Sequence, residues 1–351
     1  MPNENAIVTT VRRIEGDFTV ELEDGLRVRL DPENRFSEGY FQVLHGMLEQ
    51  GLPVYLELDP TRELITRLRI PYITRVVGLR DGEDGLDVEL EFSHARHVLR
   101  RGVPGYDEME QELRDSLATG EVVAVSETDD HEIIDVRPYT PLSDVSSPLA
   151  PRRQLQRRPW QRLIDWWRSK GQPCVSPARA QKLFDAVALQ SCNPSAIRPP
   201  CIPFRYPDDG CWARAHAMCR TMIDMGALPG KVWIQAVQPG RLRVVTPNNP
   251  KCYVEWPWHV APTICVKIGR VRREMVIDPS IFTTLATVDE WVAAQNHPRT
   301  TLTPSDWRIY YLWGGYVDPL YILTARDLTI YRLQLQLRTL TVGPPPYPYC
   351  P

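Results

Sequence analysis

The chain has 351 residues, 43% of them hydrophobic and 24% charged, with a net charge of −3. That length and composition describe a folded globular protein of two or three domains and exclude a disordered chain. The balanced charge, with a sequence pI near 6.2, gives no electrostatic basis for binding nucleic acid or an anionic membrane, and no apolar run reaches the roughly 20 residues of a membrane span.

The chain opens on Met1-Pro2-Asn3-Glu4-Asn5-Ala6, which lacks the basic and apolar regions of a signal peptide. The expected location is therefore cytoplasmic, or outside the cell by a route without a cleaved signal. The first half then reads as an internal duplication. Ile7 to Gly16 is echoed by Ile73 to Gly82, and Val20-Glu21-Leu22 by Val88-Glu89-Leu90. Gly51 to Glu57 is echoed by Gly120 to Ser126, and Glu63-Leu64-Ile65 by Glu132-Ile133-Ile134. The offset grows from 66 (82 − 16) to 69 (132 − 63), which implies a small insertion in the second copy. A duplicated β-rich domain is expected over 1–138, with copies at about 6–71 and 72–138.

Each copy reads as β-β-α-β-β. Two strands surround a polar turn such as Glu15-Gly16-Asp17 or Glu23-Asp24-Gly25, and a helical segment follows at Ser37 to Gln50 or Gly105 to Thr119. Two more strands close the copy around Asp59-Pro60-Thr61 or Thr128-Asp129-Asp130. A unit of that size needs its partner copy to bury a core. His94 and His97 are the close histidine pair of this half, read as surface polar residues because no third metal ligand is evident. A protein partner for this half, recruiting or inhibitory, is a further reading.

A linker is expected over 139–158, where prolines and serines lead into Arg152, Arg153, Arg157 and Arg158. These arginines read as solvated charge. The second domain is expected over 159–351. It begins with a helical pattern at Trp160, Leu163, Ile164 and Trp167, then a helix from Ser176 to Gln190 capped by Ser176 with Pro177 in its first turn. A proline-rich stretch leads to a helix starting at Cys211. Strand-like segments follow at Val232 to Val237, Leu242 to Val245, His259 to Val266 and Arg273 to Ile277, then a helix at Val288 to Ala294. Helices precede strands, which makes the expected class α+β.

All eight cysteines lie after residue 170. There is no CxxC pair and no zinc-like Cys/His grouping, so no metal and no cofactor is expected. Without a signal peptide, the reduced state is expected. If one cysteine is catalytic, the other seven cannot all pair with one another.

The chemistry-bearing run is Asp208-Asp209-Gly210-Cys211-Trp212. A cysteine opening a helix meets its unpaired N–H groups and positive dipole end, which favour the nucleophilic thiolate. His216 lies about 140° around that helix from Cys211 at roughly 100° per residue, so it points elsewhere. His259 opens an apolar strand 48 residues on (259 − 211), and Asp278 ends the next strand 19 residues later (278 − 259). Adjacent antiparallel strands bring such residues side by side, with Asp278 orienting the imidazole. The order Cys-helix, His-strand, Asp-strand matches the papain-like and transglutaminase-like layout.

Three segments carry a closer resemblance. Pro203 to His216 resembles the nucleophile motif of bacterial protein-glutaminases, Trp258-His259-Val260-Ala261-Pro262 their histidine motif, and Val276 to Phe282 their aspartate motif. The resemblance covers about residues 160 to 340 and does not extend to the first half. It implies a catalytic Cys211, His259 and Asp278, a papain/transglutaminase-like fold, and hydrolysis of glutamine side-chain amides in proteins or peptides. Trp212, Tyr253, Trp256 and Trp258 are candidates to line a slot for the glutamine methylenes, with core packing expected for at least two. The rival readings are a transglutaminase, a cysteine peptidase, or a chain whose main business is protein association through its first half.

Overall fold

The structure, a computed structural model, describes residues 4–61, 63–140, 173–237 and 240–351. Most of the expected linker and the helix expected around Trp160 to Trp167 lie outside the described residues. The chain divides into two compact units, Met1–Ala150 with Leu333–Pro344, and Pro151–Arg332 with Pro345–Pro351.

The first half of the first unit runs β1 (Ala6–Ile14), β2 (Thr19–Leu22), β3 (Arg27–Leu30), α1 (Ser37–Gln50), β4 (Pro53–Leu58) and β5 (Leu64–Arg69). Its strands close a barrel in the order β1-β2-β3-β5-β4. Val28 and Leu30 turn into that barrel while Arg27 and Arg29 turn out, the period of two that a half-buried strand requires. α1 buries Tyr40, Val43, Leu44 and Met47 at helical spacing. It ends at Gly51, whose left-handed backbone (φ 58) returns its N–H to Leu48 and Met47 carbonyls.

The second half runs β6 (Tyr72–Thr74), β7 (Val76–Asp81), β8 (Gly85–Leu90), β9 (His97–Arg100), α2 (Tyr106–Thr119), β10 (Val123–Glu127) and β11 (Ile133–Pro138). It forms two three-stranded sheets, β11-β10-β6 and β7-β8-β9. Val76, Leu86, Leu99, Met109, Leu113 and Val125 belong to one apolar cluster. More than two strands therefore precede the helix in each half, where the sequence reading gives two. The reason in the first half is that both polar turns are used: Thr19 N–H bonds Asp17 Oδ1 and Leu26 N–H bonds Asp24 Oδ1, so each makes its own reversal. His94 and His97 are fully buried, which corrects their reading as surface residues. β9 explains His97: alternation sends His97 and Leu99 inward and Arg100 outward.

The second unit contains α3 (Pro177–Ala188), α4 (Cys211–Asp224), β12 (Gly230–Ala236), β13 (Leu242–Val245), β14 (Tyr253–Trp256), β15 (Trp258–Ile268), β16 (Val271–Val276), β17 (Ala286–Thr287), α5 (Val288–Ala294), β18 (Thr300–Asp306), β19 (Ile309–Tyr311) and β20 (Tyr316–Val317). A five-stranded sheet in the order β17-β16-β15-β12-β18 carries the unit. β15 is its middle strand, and its first nine residues are buried. This explains the run from Val260 to Val266, apolar but for Thr263. α3 has the expected cap, with Ser176 Oγ accepting from Arg179 N–H at 3.2 Å and Pro177 in the first turn. The mixed α+β architecture agrees with the sequence reading. Among the described residues, no helix is long and apolar enough to cross a membrane.

Three disulfides, Cys174–Cys265, Cys192–Cys201 and Cys252–Cys350, join segments of this unit. The expectation of a reduced protein is corrected by this pairing. The fold brings the three pairs to Cα separations of 4.5, 4.9 and 5.1 Å, within bridging range. In two of the three pairs the partners lie more than 90 residues apart, so spacing along the chain carries no sign of them. Cys211 and Cys219 keep their thiols.

The last helix, α6 (Ile322–Thr341), supplies residues to both units: up to Arg332 it counts with the second, and from Leu333 with the first. In the first unit, Gln334 Nε2 donates to Ile70 O at 3.2 Å and Arg338 Nη2 to Asp129 O at 3.1 Å. The closeness is greatest at Gly39 and Gly46, where an added Cβ would come within 2.3 Å of Leu340 and 2.7 Å of Leu333.

Candidate functional site

Cys211 is the first residue of α4, and Gly210 puts it there. Gly210 caps the helix in a left-handed conformation (φ 77). A Cβ on it would also meet Tyr331 Cδ2 at 2.2 Å. Both backbone and packing thus require glycine before the cysteine. Arg214, one turn along α4 and fully buried, reaches back to tie down the preceding loop. Its Nη1 donates to Tyr206 O at 3.0 Å and also to the Asp209 carbonyl. Asp209 Oδ1 accepts from Gly210 N–H at 2.8 Å. Asp208 accepts from Asn249 Nδ2 at 2.5 Å, and its carbonyl from Trp256 Nε1 at 2.9 Å. The sequence reading gave these residues no role. The available signal was an arginine in the otherwise apolar first turns of a helix, where an unpaired charge is too costly to bury.

His259 and Asp278 meet across β15 and β16. The antiparallel register pairs Thr263 with Val276, and Ile277 N–H continues it to Pro262 O at 3.0 Å. Carried one residue further, that register sets Asp278 across from Ala261, on the same face as His259 two residues away. His259 Nε2 lies 2.8 Å from Asp278 Oδ2. Trp291 Nε1 donates to the same oxygen at 3.0 Å, and Ser280 N–H to Oδ1 at 3.2 Å. The imidazole stacks on Trp256, with centroids 4.5 Å apart and planes at 12°. Cys211 Sγ and a ring nitrogen of His259 lie within 4.8 Å of each other. The structure thus brings Cys211, His259 and Asp278 together, all at 2% exposure or less.

Burial pushes the Cys211 thiol well above its ordinary pKa of 9.0, against the opposing pull of Arg214 and the Val260 N–H. Desolvation thus acts on this thiol in the opposite direction to the helix dipole. For Asp278 the balance reverses. Burial alone would raise its pKa, but His259 and the Trp291 indole hold it below the usual 3.8.

The four aromatic candidates separate. Trp212 is buried, its Nε1 donating to Tyr310 Oη at 3.1 Å and Asp327 Oδ2 at 3.0 Å. Trp258 packs 5.9 Å from Trp212 and 4.6 Å from Trp313. Trp256 supports the imidazole. Tyr253 lies elsewhere on β14, with the Arg243 guanidinium 3.8 Å above its ring. Trp291, Trp313 and Tyr311 join the aromatic surroundings without having been singled out in the sequence.

With this geometry in hand, residues 180–295, a span holding all three candidate catalytic residues, match the family described as Glutaminase. A solved structure of pro-protein-glutaminase shares the fold at a TM-score of 0.52 and 22% identity, covering 81% of this chain and 97% of that one. A mutant of pro-protein-glutaminase gives a TM-score of 0.51 and 22% identity over 74% of this chain and 92% of that one. Protein-glutaminase from Chryseobacterium proteolyticum is 31% identical over 44% of this chain and 86% of that one, with a TM-score of 0.39. No curated protein sequence matches the chain.

Proposed function

The chain belongs to the protein-glutaminase family, and from that premise we propose that it hydrolyses the side-chain amide of protein- or peptide-bound glutamine to glutamate and ammonia. The observation that carries the reading is the grouping of Cys211, His259 and Asp278, with His259 Nε2 already committed to the carboxylate. His259 Nδ1 then serves the sulfur. It takes the Sγ proton as Sγ attacks the amide carbon, and the resulting imidazolium gives a proton to the departing ammonia. The C–N bond breaks and a thioester remains. A water, deprotonated by His259, attacks the thioester carbon, releasing glutamate and restoring the thiol. The Cys211 backbone N–H serves as an oxyanion donor. Asp278 holds the ring orientation and balances the imidazolium charge.

With Cys211 1% exposed, an amide reaches the sulfur only after the site opens. The pro-protein structures support reading the first unit as a pro-region that restrains activity, and the order strands, helix, two strands in each of its halves supports an internal duplication. Cutting the chain between residues 140 and 173 should then raise ammonia release. The three disulfides favour an oxidising compartment over the reducing cytoplasm.

The test is mass spectrometry of a glutamine-rich protein after incubation with the cut chain. A gain of about one mass unit per modified glutamine, with stoichiometric ammonia, supports the reading. Lysine cross-links would favour a transglutaminase, and backbone scission a peptidase. No change in mass overturns all three.

A further inference from the structure

The first unit, which contains no cysteine, holds a second buried group of ligand-type side chains. His97 opens β9, Glu127 ends β10, and His131 sits in the turn that follows. One donor atom from each lies within 4.8 Å of the other two. All three are buried, at 0, 5 and 8% exposure. Glu127 Oε2 lies 2.7 Å from His97 Nδ1, while Oε1 pairs with His131 Nδ1. The two imidazoles thus aim the same kind of nitrogen at opposite oxygens of one carboxylate, with their rings 82° apart.

The surroundings suit ligation. Ser93 Oγ lies 2.7 Å from His97 Nε2. When Nε2–H donates a hydrogen bond to Ser93 Oγ, Nδ1 turns a lone pair inward, which is how an outer hydrogen bond prepares a metal-binding imidazole. His131 is held at φ 60, a conformation uncommon outside glycine. Its carbonyl accepts from Val98 N–H at 3.0 Å, so the turn is pinned to the strand that carries His97. A carboxylate buried between two imidazoles presents three ligand atoms to one point, a compact donor set for a cation.

We propose that His97, Glu127 and His131 bind a divalent cation of the zinc class. Two imidazole nitrogens and a carboxylate oxygen make a three-ligand set that suits zinc, with one coordination position open to water. The ion displaces the protons shared between the imidazoles and the carboxylate. It clips β9, β10 and the turn together in a unit that has no disulfide.

The experiment uses the intact chain carrying Cys211→Ala, so that the Cys211 thiol does not compete. The chain is stripped with chelator and dialysed against Zn²⁺, and the retained metal is counted. One equivalent is expected, with a rise in unfolding temperature. X-ray absorption should show only nitrogen and oxygen neighbours at about 2.0–2.2 Å. His131→Gln and Glu127→Gln should each weaken retention at least tenfold. Where either fails to fold, Ser93→Ala tests the outer hydrogen bond, with an expected loss of about 10- to 100-fold. A folded parent that retains no zinc, a sulfur neighbour in the spectrum, or unchanged affinity in the folded variants overturns the proposal.

Discussion

His259 and His216 are both 1% exposed and both belong to the second unit, yet their partners suit them to opposite work. His259 turns Nε2 to a carboxylate, so a proton arriving on the ring meets a compensating charge. His216 donates from Nε2 to the Asp318 carbonyl at 3.1 Å and lies 3.2 Å from Lys231 Nζ through Nδ1. Burial, then the Lys231 charge, drives the His216 pKa down to about 2. His216 is therefore held neutral, with its one N–H engaged by the Asp318 carbonyl. Burial does not make a histidine a catalyst; the charge of its neighbour decides whether it can cycle.

The sharpest trial of this contrast is a matched pair of variants. His259→Gln should lower ammonia release by about 10⁴-fold or more, whereas His216→Gln should keep the rate per folded molecule within about threefold and lower stability by about 1–3 kcal/mol. Equal losses of rate in the two would break the comparison. Asp278→Asn comes next. Removing the carboxylate charge while keeping the shape should lower kcat by about 10²- to 10⁴-fold, read in the same assay with near-ultraviolet circular dichroism as the check on folding.

Trp291→Phe is a finer probe: it deletes the indole N–H that reaches Asp278 Oδ2 while keeping an aromatic ring, though a smaller one, in a fully buried position. A rate loss of about tenfold is expected, near 1.4 kcal/mol for one hydrogen bond to a buried carboxylate. A loss as deep as that of Asp278→Asn would mean that the indole does more than steady the carboxylate.

The smallest effect concerns Lys231, whose pKa burial lowers from 10.5 to about 8. Between those values the folded lysine has lost its proton while the unfolded one still holds it, so the unfolded state binds more protons and stability rises with pH. From pH 8 to 9 the gain is about 1 kcal/mol. Denaturant melts of wild type and Lys231→Met at both pH values should show this gain only in the wild type. An identical response in both would show that His216 does not sit beside a titrating amine.

Local signals carried the second unit well. Ser176 and Pro177 mark the start of α3 because a cap and a ring-fixed φ act within one turn. The step from Cys211 to His259 to Asp278 follows from one helix start and two strand ends. The sequence hid what depends on distant partners: the disulfides, the Trp291 donor, and His131, which meets His97 at a sequence separation of 34 (131 − 97). α6 was hidden for another reason. Leu333, Gln334, Leu335, Gln336 and Leu337 alternate with the period of a strand, yet they lie in a helix. The pattern misleads because the helix also buries polar residues: Gln334 and Arg338 find carbonyl partners, so polarity no longer marks its outer face.

That helix also sets an order of events during synthesis. Chains ordinarily fold from their N-terminal domain as it leaves the ribosome. Here the segment Leu333–Pro344 counts with the first unit, so the strands and helices up to residue 140 emerge long before the piece that completes them. The first unit must wait, partly assembled, while nearly the whole second unit is translated. A ribosome that stalls before Leu333 would release a protein with neither unit finished.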